Sequence, residues 1–531
     1  MRRMSKKDRE CEWVEHCESA RGAEQCAALF IHVCEQEVVA LSVTNINTRT
    51  HKNSLMPGRR PVIRPLSIFF CVIILMMTSL CPLAAAREIE GAAASGEQAA
   101  AAASTAGEQA AAAASTAVKD AGERYTLDKV LVLSRHNIRS PMSGSSFLLG
   151  GITPHTWFNW TSNPNELSVR GGTLETIMGQ YFRKRLEAEG LFSENHQPED
   201  GAVRFYANSK QRTIATSTFF SAGLLPVWDT PVETHVEYDT MDPVFSPALH
   251  FVTPGYEQDV ISQISEMGGD KGLEGIHEEL LDELSLLMDV TDMEKSESYQ
   301  KGYFGNLLED STEIVLEEGK EPGMKGPLRT GTAVADALTL QYYEEPDAEK
   351  AAFGHKLTED DWRRIHSISD TYSDILFTTP LVSVNVAHPL LEEMRSELLA
   401  DGRIFSFLCG HDSNIASVLA ALGVKEYSLP DTIEPKTPIG VKLVFSRFLT
   451  EDNEPWYTVS LVYQSTQQLR DLSLLTPENP PMEYFLEFEG VETNADHMIA
   501  EDDLLYLFDN AISAYDELME KYTDESLEPA A

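Results

Sequence analysis

An α/β fold with an inserted helical cap is predicted by three observations. Three short apolar runs end in polar turns and pass into helical patterns. Val130–Leu133 leads into Arg135-His136-Asn137-Ile138-Arg139, Ala202–Ala207 into Asn208–Thr213, and Ile404–Leu408 into Cys409-Gly410-His411-Asp412-Ser413-Asn414. Strands that are apolar throughout read as parallel strands buried on both faces. Between the second and third units, residues 251–372 have helical spacing and few β runs, so the cap is an insertion over the strand ends. The chain has 531 residues, enough for a large core.

Residues 1–55 are expected to be a mis-annotated extension, because Met56 stands directly before a basic stretch with Arg59, Arg60 and Arg64. The run Leu66–Leu83 is almost wholly apolar and is followed by Ala84-Ala85-Ala86. Basic, apolar and small residues in that order are the layout of a secretory signal, so residues 56–86 read as a signal peptide cleaved after Ala86. The apolar core is short for a membrane span, which disfavours an uncleaved anchor and leaves no stable membrane insertion. Residues 87–124 form an Ala-rich spacer in which Gly96–Ala106 repeats unchanged as Gly107–Ala117. It lacks large apolar side chains with which to dock. Residues 125–250 and 373–531 make the α/β domain and 251–372 the cap. Helices are expected at Gly171–Leu186, Arg212–Leu224, Leu273–Met288, Tyr299–Leu308, Thr332–Tyr343, Asp360–Phe377, Ile415–Leu422 and Asp502–Tyr522. Further strands are expected at Gly440–Phe448 and Trp456–Tyr463. Asp412 and Ser413 are the expected N-caps of the helix after the third strand.

The formal net charge is −42. Such a chain repels nucleic acid and anionic lipid, and a phosphate pocket must be a local cationic focus in an acidic body. Six of the seven cysteines lie before residue 87, leaving Cys409 as the one cysteine after the proposed cleavage site. An exported chain with one cysteine has no internal disulfide and is held by its core. Cys409 itself reads as a small buried apolar residue.

The chemistry concentrates at the strand ends, where open α/β sheets bind ligands. Two arginines around one histidine repel each other unless an anion sits between them. A guanidinium fork suits phosphate oxygens, and an imidazole on the pocket floor can attack phosphorus. Arg135, Arg139 and Arg212 are therefore the candidate phosphate ligands, with His411 beside them and His136 as candidate nucleophile. No metal and no cofactor is expected, since the arginines supply the positive charge and no carboxylate or histidine cluster suggests an ion.

At these residues the chain resembles the histidine acid phosphatases, particularly their bacterial periplasmic glucose-1-phosphatase branch. The resemblance includes Asn208-Ser209 through Arg212-Thr213, Thr240-Met241-Asp242-Pro243, Leu338–Glu344, Thr437-Pro438-Ile439-Gly440 and Tyr463-Gln464-Ser465. It spans about Tyr125 to the C-terminal region. The wider family has Gly after the nucleophilic histidine; Asn137 stands here, as in that branch. The resemblance implies a phosphoglycerate-mutase-like α/β domain with an inserted helical cap domain and the site in the cleft between them. It implies a periplasmic acid phosphatase acting on a small-molecule phosphomonoester, foremost glucose-1-phosphate, through a phosphohistidine at His136. Asp412 then protonates the leaving alcohol, and must hold a proton to do so; Glu344 contacts the sugar. The alternatives are a phytase-like inositol polyphosphate phosphatase, which calls for more basic residues, and a periplasmic anion-binding protein, which has no need of Asp412. A phosphoglycerate-mutase relative is disfavoured by the signal, the length and His411-Asp412.

Overall fold

The computed structural model describes residues 125–142, 145–303, 306–309 and 312–524. The proposed extension, signal peptide and spacer lie outside these residues.

Strand β1 (Tyr125–Arg135) runs through the middle of the sheet and is longer than its apolar run. It is followed by α1 (Ser145–Ile152), α2 (Val169–Ala188), β2 (Val203–Ala207), α3 (Gln211–Leu224) and the two-residue β3 (Val232–Glu233). The cap contributes α4 (Pro254–Met267), α5 (Leu273–Glu279), α6 (Leu281–Val290), a small hairpin of β4 (Glu313–Val315) and β5 (Gly323–Lys325), α7 (Pro327–Glu344) and α8 (Glu359–Ser373). The chain returns through α9 (Pro380–Leu399), β6 (Phe405–Gly410) and α10 (Asp412–Ala421). It ends with β7 (Lys442–Thr450), β8 (Pro455–Tyr463), α11 (Thr466–Asp471), β9 (Met482–Phe485), β10 (Met498–Ala500) and α12 (Glu501–Asp524).

The sheet order is β10-β8-β7-β1-β6-β2-β3, with β9 also on β8. β1 is parallel to β6 on one side and antiparallel to β7 on the other. The apolar run of β1 serves two cores. Leu131 and Leu133 pack with residues of α9 and α10, while Val130 and Val132 face the core shared with α2 and α3. Side chains alternate across a strand, so burial on both faces gives an unbroken apolar run. Helices α2 and α3 cross closely at Gly179 and Gly223; a Cβ on Gly179 would lie 2.2 Å from the Phe220 carbonyl oxygen.

Several expected boundaries change. The expected helix Leu273–Met288 is two helices, and among its described residues Tyr299–Leu308 overlaps only the single turn Glu297–Gln300. Asp360–Phe377 ends its α-helix at Ser373 and continues as a π-turn over Asp374–Thr378. α9 carries Pro389 in its interior and buries residues around much of its circumference, so neither caps nor periodicity announce it. His411, not Asp412 or Ser413, is the N-cap of α10: its N–H donates to Asn414 Oδ1 (2.8 Å), and Asp412 is the first helical residue.

Candidate active site

Register brings the three loaded turns together. Arg135 lies opposite Gly410, and Cys409 opposite Ala207. The chains stay tied one residue further: His136 N–H donates to the Gly410 carbonyl (3.2 Å) and Asn208 N–H to the Cys409 carbonyl (3.0 Å). Gly440 N–H donates to the His136 carbonyl (3.2 Å), closing the other side. His136, Asn208 and His411 are thus held at adjacent strand ends.

His136 is 4% exposed. Its Nδ1 lies 2.9 Å from the Asn137 carbonyl oxygen. A carbonyl can only accept, so Nδ1 carries the hydrogen and Nε2 keeps its lone pair. Burial, then Arg212, His411, Arg139 and Arg135, hold the imidazole well below its usual pKa of 6.5. It is therefore a neutral, unprotonated base in mildly acidic solution.

His411 sits edge-on to His136 with ring centroids 5.5 Å apart. Asn208 Oδ1 accepts from Asp242 N–H (3.0 Å), which orients the amide so that Nδ2 donates to His411 Nε2 (2.7 Å). The His411 proton must then be on Nδ1, which lies 3.2 Å from Arg212 Nη2. Two donors face one another with no acceptor between them. An anionic oxygen placed there would accept from both.

The three arginines differ in their compensation. Arg135 donates from Nη1 to Glu434 Oε2 (2.8 Å) and to the Thr437 carbonyl, and its Nη2 lies 3.1 Å from Asp412 Oδ2. Arg139 meets Asp336 of α7, with Nη2 3.2 and 3.3 Å from the two carboxylate oxygens. Arg212, at the start of α3, has no carboxylate within ion-pair distance among the described residues, and its buried Nε has no hydrogen-bond partner. Burial, followed by the charge of Arg139, pushes its guanidinium down to about 10.

Asp412 differs from expectation. Its side chain is 47% exposed, and Oδ1 accepts from Ser413 N–H (2.9 Å). Burial acts to raise its pKa, but Arg135 and then His411 outweigh it and hold the carboxyl at about 2. With these neighbours Asp412 is ionised. Glu344 is not brought into the arginine cluster. Its side chain is 11% exposed, Oε2 lies 3.7 Å from Arg170 Nε, and the buried Oε1 has no hydrogen-bond partner.

Several contributors had little signal in the sequence. Glu434 is fully buried behind Arg135 and also accepts from the Tyr343 hydroxyl (2.8 Å). Asp336 is one acid among 84 acidic residues. Asn137 donates to Glu175 Oε1 (2.7 Å), which also accepts from Lys442 (2.8 Å) in a fully buried pair. Gly440, at φ +72°, lets Asn137 approach: a Cβ there would lie 2.4 Å from Asn137 Nδ2. Cys409 is buried and its thiol is pushed up to about 12 by burial, as suits a packing residue. Among the described residues no His, Cys, Asp and Glu cluster is arranged to hold a metal ion, and no helix is long and apolar enough to cross a membrane. A separate cavity of about 710 Å³, lined by His155, Trp157, Phe158 and Phe353 among others, contains none of the catalytic candidates.

Residues 126–310 match the model of the histidine phosphatase superfamily, branch 2. Glucose-1-phosphatase of Salmonella typhimurium is 37% identical over 379 residues, covering 70% of this chain and 89% of that protein. The chain belongs to the histidine phosphatase superfamily. It is a phosphatase, and its α/β sheet with helical cap is the fold of that family. Glucose-1-phosphatase of Providencia rettgeri is 35% identical over 369 residues, covering 68% of this chain and 86% of that protein. The phytase from Citrobacter braakii superposes with a TM-score of 0.65 at 25% identity, covering 73% of this chain and 98% of that one.

Proposed function

We propose that this phosphatase hydrolyses glucose-1-phosphate in the periplasm, through a phosphohistidine on His136. The observation that carries the chemistry is the pair of opposed donors, Arg212 Nη2 and His411 Nδ1, beside a histidine whose Nε2 is unprotonated. A phosphoryl group relieves that repulsion, its oxygens accept from Arg135, Arg139, Arg212 and His411, and Nε2 attacks phosphorus. The P–O bond to the sugar breaks, and the leaving oxygen takes a proton from Asp412. Water then attacks the phosphohistidine and returns the proton to Asp412. Phosphoryl transfer depends mainly on positioning and charge stabilisation, which the arginines supply.

Asp412 must gain a proton to act as the acid. A bound phosphate brings negative charge beside Arg135 and offsets the chief influence that holds the carboxyl at about 2. Its proton uptake is thereby coupled to substrate binding. The proposed periplasmic location rests on the residue 56–86 signal pattern and on the likeness to the glucose-1-phosphatases. Glu344 enters as a positioning group. With Arg170 and Ser168 it holds the start of α2, where Ser168 N–H donates to the Ile138 carbonyl (2.8 Å) beside Arg139. The runner-up, phytate hydrolysis, is favoured by the fold shared with the Citrobacter phytase.

The test is a quench experiment with a labelled sugar phosphate. Acid-labile, base-stable label should attach to His136, and His136→Ala should lose turnover by about a thousandfold or more while still binding phosphate. An active His136→Ala overturns the reading.

A further inference from the structure

We infer that Asp336 is the residue that limits the substrate to a single phosphate: its carboxylate, projected from α7 against Arg139, admits one phosphoryl group on a neutral alcohol and disfavours a polyanion. The inference rests on the phosphate-binding reading of Arg139 and goes beyond it by naming the residue that discriminates substrate charge.

Among the described residues, three carboxylates contact two of the three arginines: Glu434 and Asp412 on Arg135, and Asp336 on Arg139. Glu434 is fully buried and spends its oxygens on Arg135, Tyr343 and the Ile439 N–H, so it cannot meet a leaving group. Asp412 is the proposed acid and becomes neutral when it takes up its proton. Asp336 is left as the carboxylate that is both partly open, with 28% of its side chain exposed, and unused by the chemistry.

Its placement is rigid. Neighbouring Ala335, Ala337 and Leu338 are wholly buried in the cap, so the backbone of α7 cannot withdraw the charge. The contact with Arg139 is loose by comparison. One nitrogen is shared between two oxygens, and the other terminal nitrogen reaches the Ser140 carbonyl at 3.3 Å. Arg139 can therefore turn towards a phosphoryl oxygen while Asp336 stays at the pocket edge. A neutral sugar offers that carboxylate hydroxyl donors; a second phosphate meets it charge to charge. Glu321, between β4 and β5, is pushed up to about 7 by burial and then by the charge of Asp412, so in acid it is largely neutral and Asp336 carries the discriminating charge.

Glu344 lies on the same helix eight residues on, about 12 Å further along its axis. It pairs with Arg170 there, so the acid at the phosphate pocket is Asp336.

The test compares wild type with Asp336→Asn at one pH and low ionic strength. Inorganic phosphate and myo-inositol hexasulfate serve as competitive inhibitors, with glucose-1-phosphate and phytate as substrates. Removing a unit charge at this distance should tighten hexasulfate relative to phosphate by about tenfold, and the gain should shrink as salt is added. Relative kcat/KM should move towards phytate by a similar factor. Glu318→Gln, which removes an exposed acid on the hairpin, controls for net charge and should shift neither ratio. Equal shifts in both inhibition constants, or lost glucose-1-phosphate turnover with no change in discrimination, would mean that Asp336 only holds Arg139 and overturn the inference. If inorganic phosphate does not inhibit wild type competitively, the phosphate-pocket reading fails with it.

Discussion

Two buried charge clusters lie on either side of the peptide between His136 and Asn137, and they are finished differently. Behind it, Glu175 and Lys442 are both fully buried and joined at 2.8 Å, with Asn137 as a second donor to the same carboxylate oxygen. In front of it, Arg212 has no carboxylate partner among the described residues and points a donor at another donor on His411. Both clusters bear the desolvation cost of buried charge. The first is closed within the protein and serves the fold; in the second two donors face one another, and under the proposed function a phosphate closes it. The two cations differ in burial as well as in pairing: Lys442 is fully buried, whereas Arg212 is only partly so.

The difference can be broken by removing one cation from each cluster. Lys442→Met leaves Glu175 buried and unpaired, and should cost about 3–5 kcal/mol of stability by urea unfolding. Arg212→Met removes an uncompensated donor, so stability should stay level or rise by up to about 1 kcal/mol. Its kcat/KM should fall about a hundredfold. If both variants lose stability alike, the two clusters are not distinct in kind.

A weaker effect comes from pH. His136 and His411 are both held well below 6.5, burial being the first cause and Arg212 the next. The unfolded chain takes up protons that the fold refuses, so this contribution favours the fold above 6.5 and declines as pH falls below it. A bound anion raises both imidazoles and opposes the decline. Sulfate keeps its charge across this range, so its thermal stabilisation should be larger near about pH 5 than near about pH 7.5. Equal shifts would show that the donors are already satisfied in the free enzyme.

The smallest effect is expected at Glu344. Glu344→Gln weakens its pairing with Arg170 and should lower activity on glucose-1-phosphate and phytate by the same factor, about threefold or less. A change in their ratio would return Glu344 to the selecting role that the family resemblance implied.

The sequence alone carried the motifs and the alternation of strand and helix, because buried parallel strands need unbroken apolar runs and the turns that hold the candidate site follow them directly. His136, Arg139, Arg212, His411 and Asp412 could be named from local spacing for that reason. Tertiary structure decided what each charge is for. Whether Arg135 is compensated depends on Glu434, 299 residues away, and the state of Asp412 depends on its contact with Arg135. Glu344 and Asp336 share one helix, yet face Arg170 and Arg139 respectively. Which acid meets which base is set by long-range packing, and in a chain with 84 acidic residues local pattern holds no record of it.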